Sequence, residues 1–524
     1  MTKQDPEAKL DGGWGWVVVV AGLIVYLIVF GSLRCQSVLF VYIVEEFQAD
    51  FSDVAWVSSI ATGGFSFAGV LAAPLISKLG HRWTVILGGS IAALGSLLAS
   101  FAPTLLVLDL TAGILTGIGM GIAFVPTPVI IGHYFTKRRS LAINIASVGA
   151  SVGTLAVCPL NQVITDAYTI RGYFLAFSAV FLNICVAGAL MRPPPKAPGA
   201  EVADKEEVQT LLERTDAVDE IQKNTEFEKS APENDKQRTS DDDNEIPKKY
   251  EEDEIELSQL IDKVEDKEAQ VNEEKPDKNK KNEDTCWAKF INSPLLRNRS
   301  YIIYCVSQVV FLAGFLCNQL YIVPYAVIEV GLPKIEASLL MSIGAFIEIG
   351  SRLMFGFLGD LEKINRIWLF SGVLFIMSVF ATILPFMKTF ASLATITALT
   401  GLFQGGFSGM SVVILADIVG LKLYAPALGI STLLNGFGTL LTPPAVGLAV
   451  DATGKPSTAL FISAGILFLG AILSGLIKIS MNFEERDKKS HEKGAQKSTD
   501  QEKKHEMSEM KKLTEINTND GQVQ

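Results

Sequence analysis

Three charged side chains lie inside long apolar stretches of this sequence. Glu348 and Arg352 are four residues apart within the stretch 334–359, and Arg34 lies within 14–44. On a helix, positions i and i+4 share a face, so Glu348 and Arg352 can meet. A charge deep in hydrocarbon costs several kcal/mol unless it is paired or hydrated, so such ions mark a functional site by default. Their chemistry is recognition and proton exchange. A guanidinium fork binds a carboxylate and keeps its proton at any physiological pH, whereas a glutamate can take up and release one. The alternatives are a self-satisfied pair that locks one helix to a neighbour, and an Arg34 that snorkels to the membrane surface. No nucleophile with its base, and no set of metal ligands, can be assembled around them. The expectation is therefore a protein that is not an enzyme and holds no cofactor or metal.

The elements that position these ions must tolerate hydrocarbon. The 524 residues are 49% hydrophobic and 19% charged, but the charge is partitioned. About 47 charged residues fall between Pro193 and Asn298, about 19 follow Met481, and the remaining 365 or so residues, terminus apart, are only about 8% charged. Runs such as Val17 to Ile28 have no wetted face, which excludes a soluble multidomain enzyme. Nothing basic and aromatic enough to follow nucleic acid is present.

Apolar stretches predict twelve transmembrane helices, near 14–44, 53–76, 83–101, 104–132, 138–163, 171–191, 300–328, 334–359, 365–386, 389–419, 425–450 and 457–481. Lys and Arg near the helix ends number ten on one side and four on the other when the N-terminus is placed inside, which puts both termini in the cytosol. The expected organisation is a cytosolic N-terminus at 1–13, a six-helix bundle at 14–192, a disordered charged linker at 193–298, a second bundle at 299–481 and a disordered tail at 482–524. On the helical rise of ~1.5 Å per residue, Arg352 lies roughly 12 Å from Asp360, near the bilayer middle. Arg34 lies roughly 27 Å beyond Trp16, in the outer third, with Gly31-Ser32 before it permitting local unwinding. The cysteines, five in apolar runs and Cys286 in the linker, read as small buried hydrophobes and not as a disulfide framework.

Glycines at 113, 117, 119 and 121 echo those at 401, 405, 406 and 409, as Gly149, Gly153 and Pro159 echo Gly436, Gly438 and Pro443-Pro444. This suggests duplicated halves whose small residues let helices approach closely. The loops Ser77-Lys78-Leu79-Gly80-His81-Arg82 and Gly356-Phe357-Leu358-Gly359-Asp360 resemble the loop motif of the major facilitator superfamily. Asp11-Gly12-Gly13-Trp14-Gly15-Trp16 resembles one signature of the monocarboxylate transporter family, and Tyr134-Phe135-Thr136-Lys137-Arg138-Arg139-Ser140-Leu141-Ala142 resembles another, with Gly188 to Pro193 ending the sixth helix.

The resemblance implies an all-α membrane protein of the major facilitator fold, twelve helices in two bundles, in the plasma membrane. It implies that Arg352 pairs with a substrate carboxylate and Glu348 with a proton. This chain has Glu348 where lactate carriers have aspartate and Arg34 where they have lysine. The pair Arg34-Cys35 is similar to the creatine-carrying and orphan branch. Further candidates for substrate contact are Gln404, Phe407, Asn435 and Asn144, the last either facing the cavity or packing helices. Trp14, Trp16, Lys137, Arg138, Arg139 and Asp360 read as gating or topology residues. Asp109 and Asp417 are secondary, Pro126 and Pro128 would bend the fourth helix, and His81 and His133 are interfacial. The expected function is alternating-access transport of a small monocarboxylate with a proton, its partners being the substrate, the bilayer and a single-span immunoglobulin-type chaperone. The alternatives are a proton-independent facilitative carrier of creatine, an amino acid or another zwitterionic carboxylate, and a non-transporting membrane scaffold.

Overall fold

The computed structural model describes residues 12–135, 138–192, 298–360, 365–420 and 423–483. The expected linker and tail, and Lys137, lie outside the described residues apart from a few at their edges. Every regular element in the described residues is helical. In the N-terminal segment these are α1 (Trp14–Arg34), α2 (Gln36–Phe47), α3 (Phe51–Ala99), α4 (Leu105–Leu108), a π-helical stretch (Asp109–Leu115), α5 (Thr116–Phe124), α6 (Pro126–Tyr134) and α7 (Arg139–Leu190). The C-terminal segment has α8 (Arg299–Pro324), α9 (Lys334–Asp360), α10 (Arg366–Ile383), α11 (Phe390–Val419), α12 (Tyr424–Thr453) and α13 (Ser457–Phe483).

Among the described residues, nine helices are long and apolar enough to cross a membrane. Two of these are broken midway, which is where the sequence predicts a loop between spans. Gly80, at φ 78°, interrupts α3, and Thr169, at φ 64°, interrupts α7. Glycine adopts that conformation without a Cβ clash, whereas a β-branched residue there is strained. The fourth predicted span divides between α5, which ends at Phe124, and α6, which Pro126 starts; Val125 between them keeps helical φ and ψ of −57° and −43°. The first predicted span also divides, at Cys35, one residue after Arg34.

Helix pairing follows the small residues. A Cβ on Gly149 or Gly153 of α7 would collide with the carbonyls of Leu23 and Leu27, so α7 can lie directly on the backbone of α1. In the C-terminal segment Gly401 and Gly405 of α11 press against the α9 backbone at Gly344 and Ser351 in the same way. The two segments form one compact unit, joined where α3 meets α12, α7 meets α9 and α2 meets α8.

The three motifs that carry the family resemblance meet at one end of the bundle. Gly15 faces the Phe135 ring, Trp16 packs edge-on against it at 5.1 Å, and Tyr134 donates to the Arg192 carbonyl at 2.9 Å. Trp14 Nε1 donates to the Leu190 carbonyl at 3.0 Å, under the Arg192 guanidinium. These contacts tie the start of α1 and the end of α6 to the end of α7, so the tryptophans act as structural anchors. Arg138 is exposed beside them, Arg139 opens α7, and Asp360 closes α9.

One expectation is corrected. Cys35 and Cys158 form a disulfide between the α1–α2 break and α7. They are 123 residues apart in sequence, and their apolar surroundings gave no sign of the pairing. The turn at Cys35 and the close approach of α7 at Gly153 bring them together. Cys305 and Cys317 are free and buried as expected, Cys185 is free and half-buried, and Cys286 lies outside the described residues.

Candidate functional site

Arg34 is the last residue of α1, where the helix breaks, and it reaches across to the C-terminal segment. Its Nη1 lies 2.6 Å from Glu348 Oε2, while Arg352 Nη2 of α9 lies 2.8 Å from Glu348 Oε1. Each carboxylate oxygen therefore has its own arginine. Glu348 is 1% exposed and the two arginines 17% and 16%, so the pairs are shielded from water. The geometry of α9 explains the second contact, since one turn of helix separates its two ions. The first contact spans 314 residues and joins the two segments.

Neighbouring amides and hydroxyls complete the shell. The Gln404 amide of α11, turned with its oxygen toward Arg34, accepts from Nη2 and Nη1 at 3.2 and 3.3 Å. The Gln319 amide of α8 lies 3.4 Å from that of Gln404. Arg352 Nη1 donates to Ser147 Oγ of α7 at 3.3 Å, and its buried Nε has no partner among the described residues. Two arginines and one glutamate leave one positive charge in excess.

Two cavities open beside this cluster. The larger, about 200 Å³, is lined by Arg34, Gln404, Gln319 and Phe407 together with an apolar wall. The smaller, about 40 Å³, is lined by Arg34, Glu348, Gln319, Gln404 and Thr154. Of the sequence candidates, Arg34, Glu348, Gln404 and Phe407 thus border space, and Arg352 meets Glu348 without lining either cavity. Asn435 lies a turn before Thr439, a residue of the larger cavity, and its buried Oδ1 has no partner among the described residues. Asn144 is exposed, three residues before Ser147, and lines neither cavity.

The secondary acids are elsewhere. Asp109 opens the π-helical stretch, and Asp417 pairs with Arg366 at 3.5 Å near a helix end. His81 and His133 pack ring against ring at 5.2 Å. Sequence reasoning missed Gln319 and Ser147. Gln319, next to Asn318 in an otherwise apolar run, was a usable signal; a single helical serine was not.

The end of the bundle reached by α2, here termed the distal end, carries further links between the segments. Lys334 pairs with Glu45 at 2.6 Å and lies over the Tyr42 ring at 4.0 Å. Tyr42 in turn hydrogen-bonds Asp166 and Gln162 of α7. Asp451, near the end of α12, accepts from the backbone N–H groups of Phe51 and Ser52 at 2.7 and 2.9 Å, capping the start of α3. Phe40 and Tyr321 pack edge to face between them at 5.4 Å.

The arrangement can hold an anion between two segments of a membrane-embedded helical protein. The family profile of the Major Facilitator Superfamily matches residues 22–393 and 305–515. Human monocarboxylate transporter 14 is 30% identical over 510 residues, covering 94% of this chain and 95% of its own length. Human monocarboxylate transporter 2 is 28% identical over 494 residues, covering 93% and 90%, and zebrafish (Danio rerio) monocarboxylate transporter 12-B is 28% identical over 492, covering 92% and 90%. A solved POT family transporter in complex with 5-aminolevulinic acid superposes with a TM-score of 0.60 at 11% identity, over 88% of this chain and 96% of that one, which speaks to the fold. The chain is a multi-pass membrane transporter that belongs to the monocarboxylate transporter family of the major facilitator superfamily.

Proposed function

We propose that this protein carries a small monocarboxylate across the plasma membrane, with a proton, by alternating access of two six-helix bundles whose termini are cytosolic. The observation that carries this reading is the bridging of Glu348 to arginines from both segments, beside a cavity, with one positive charge in excess. An incoming carboxylate balances that charge by displacing Glu348 Oε2 from Arg34, the arginine that lines both cavities. Arg352 keeps its hold on Oε1. The freed oxygen then sits in a poorly solvated place without its Arg34 partner, which favours uptake of a proton there.

Once its freed oxygen is protonated, Glu348 carries no charge with which to hold a substrate cation, and among the described residues no other carboxylate lines either cavity. This favours a simple acid over a zwitterion. Release of the Arg34 link also removes a bond between the segments, which ties substrate binding to their relative movement. With the N-terminus in the cytosol, the distal end faces outward, and its contacts form the outer closure.

The test is Glu348→Gln in proteoliposomes, with uptake of a labelled monocarboxylate measured at two external pH values. Loss of the pH dependence is expected. Unchanged pH dependence removes the proton role, and uptake insensitive to Arg34→Gln removes the carboxylate role.

A further inference from the structure

The larger cavity has an uneven wall. Four of its lining residues are the half-buried rings Phe30, Phe65, Phe315 and Phe407. Phe30 and Phe65 belong to the N-terminal segment, with centroids 5.7 Å apart, and are backed by Phe124 at 5.2 and 5.3 Å. Phe315 and Phe407 belong to the C-terminal segment, 6.4 Å apart, with Phe407 also against Phe311 at 5.1 Å. Two aromatic clusters, one from each segment, thus border a single space that Arg34 and Gln404 also border.

Four of the five hydroxyls in the wall are already engaged. Thr62, Ser66, Ser408 and Thr439 each donate to a carbonyl of their own helix, so their protons are already engaged. Donors for a carboxylate are therefore concentrated at Arg34, the amides of Gln36, Gln319 and Gln404, and the Ser37 hydroxyl, which has no partner among the described residues; the four rings make the rest of the space favour apolar contact. The volume of about 200 Å³ is more than ten times the ~15 Å³ that admits one water. A lactate-sized acid held at Arg34 would leave much of it filled with water against aromatic faces.

We infer that this cavity selects carboxylates bearing an aromatic ring, with the carboxylate at Arg34 and Gln404 and the ring between Phe30 and Phe65 on one side and Phe315 and Phe407 on the other. The inference rests on the carboxylate reading above and names the substrate class within it. Ring pairs prefer offset or edge-to-face contact at centroid separations of about 4.5–7 Å, the spacing these clusters already use. A ring-bearing acid touches aromatic side chains of both segments in addition to Arg34 and Gln404, whereas a short acid touches chiefly the charged cluster. Its tail therefore adds to the force that closes the segments on the substrate.

The experiment compares pyruvate with phenylpyruvate, which differ only by the phenyl group. Uptake of each labelled acid is measured in proteoliposomes holding the full chain, its Phe65→Leu and Phe407→Leu variants, and Arg34→Gln. The expected ratio of transport efficiencies favours phenylpyruvate by about tenfold or more, and each leucine variant reduces that ratio by about two- to tenfold. Arg34→Gln should abolish uptake of both acids. Equal efficiencies, a preference for pyruvate, or a phenylpyruvate preference that the leucine variants leave intact overturns the inference while the carboxylate reading stands. Uptake of neither acid above protein-free liposomes overturns both.

Discussion

Two ion pairs of equal length, 2.6 Å, join the N-terminal and C-terminal segments. Lys334 and Glu45 meet at the distal end with 30% and 55% of their side chains exposed; Arg34 and Glu348 meet in the interior, where Glu348 is 1% exposed. Distance alone therefore says little about what each contact does. Water and salt screen the distal pair, and its long side chains lose conformational freedom when they meet, so exposed pairs are typically worth ~0.2–1 kcal/mol. The interior pair is not screened in that way. Its net contribution to stability is modest because both ions lost their hydration, but removing one partner strands the other at a cost of ~3–5 kcal/mol. The distal pair is suited to a contact that opens and closes readily. The interior pair suits a switch that yields only to another carboxylate.

The largest expected effect follows from stranding the interior charges. Glu348→Ala leaves Arg34 and Arg352 facing each other with no counterion, and should reduce uptake to the background of protein-free liposomes and lower the thermal unfolding midpoint. Adding Arg34→Leu to that background removes one stranded charge. The double variant should regain part of the lost midpoint without regaining uptake. If it is no more stable than Glu348→Ala alone, the two residues are not coupled and the contrast with the distal pair collapses.

These contacts were unequally legible in the sequence. Glu348 and Arg352 declared their pairing through i,i+4 spacing, and Gln404 and Phe407 were marked as a polar group and a ring in otherwise small-residue surroundings. The all-helical architecture was legible because burial in lipid dictates composition directly, and nine helices among the described residues are long and apolar enough to cross a membrane. The contact of Arg34 with Glu348 crosses 314 residues, and no local pattern encodes such a separation. The Cys35–Cys158 disulfide was hidden for the same reason. The break in the first span was anticipated at Gly31-Ser32, but Gly31 packs against Gly153 and Val157 of α7, and the helix gives way at Cys35 instead. Distal contacts such as Asp451 with Phe51 and Ser52 were invisible because a carboxylate at a helix end is an ordinary thing to find near a membrane surface.

Asp451 tests the middle ground between the two ion pairs. Its carboxylate caps two backbone donors of the opposite segment, and replacing a cap by alanine typically costs ~1–2 kcal/mol, a factor of about 5–30 in a two-state equilibrium. Asp451→Ala should therefore favour the state open at the distal end. Ser37, buried in the wall of the larger cavity, can report this when changed to cysteine. A membrane-impermeant thiol reagent, applied from the distal side and referenced to the chain without that cysteine, should label it about fivefold or more faster in the Asp451→Ala background. An unchanged rate means the cap does not hold the closure.

Lys334→Gln should have the smallest effect in the same labelling assay, less than about fivefold, since it removes one screened pair and one exposed contact with the Tyr42 ring. Its diagnostic feature is salt. Raising ionic strength from about 0.1 to 1 M shortens the screening length from roughly 10 to 3 Å, so high salt should accelerate labelling of the unchanged Lys334 chain toward the rate of the variant. The variant itself should respond little. The interior cluster makes the opposite prediction, because ions in solution do not screen a carboxylate that is 1% exposed: the midpoint lost on Glu348→Ala should be the same at both salt concentrations. If salt erases the Glu348 effect as well, the two pairs share one environment, and burial cannot be what separates the switch from the closure.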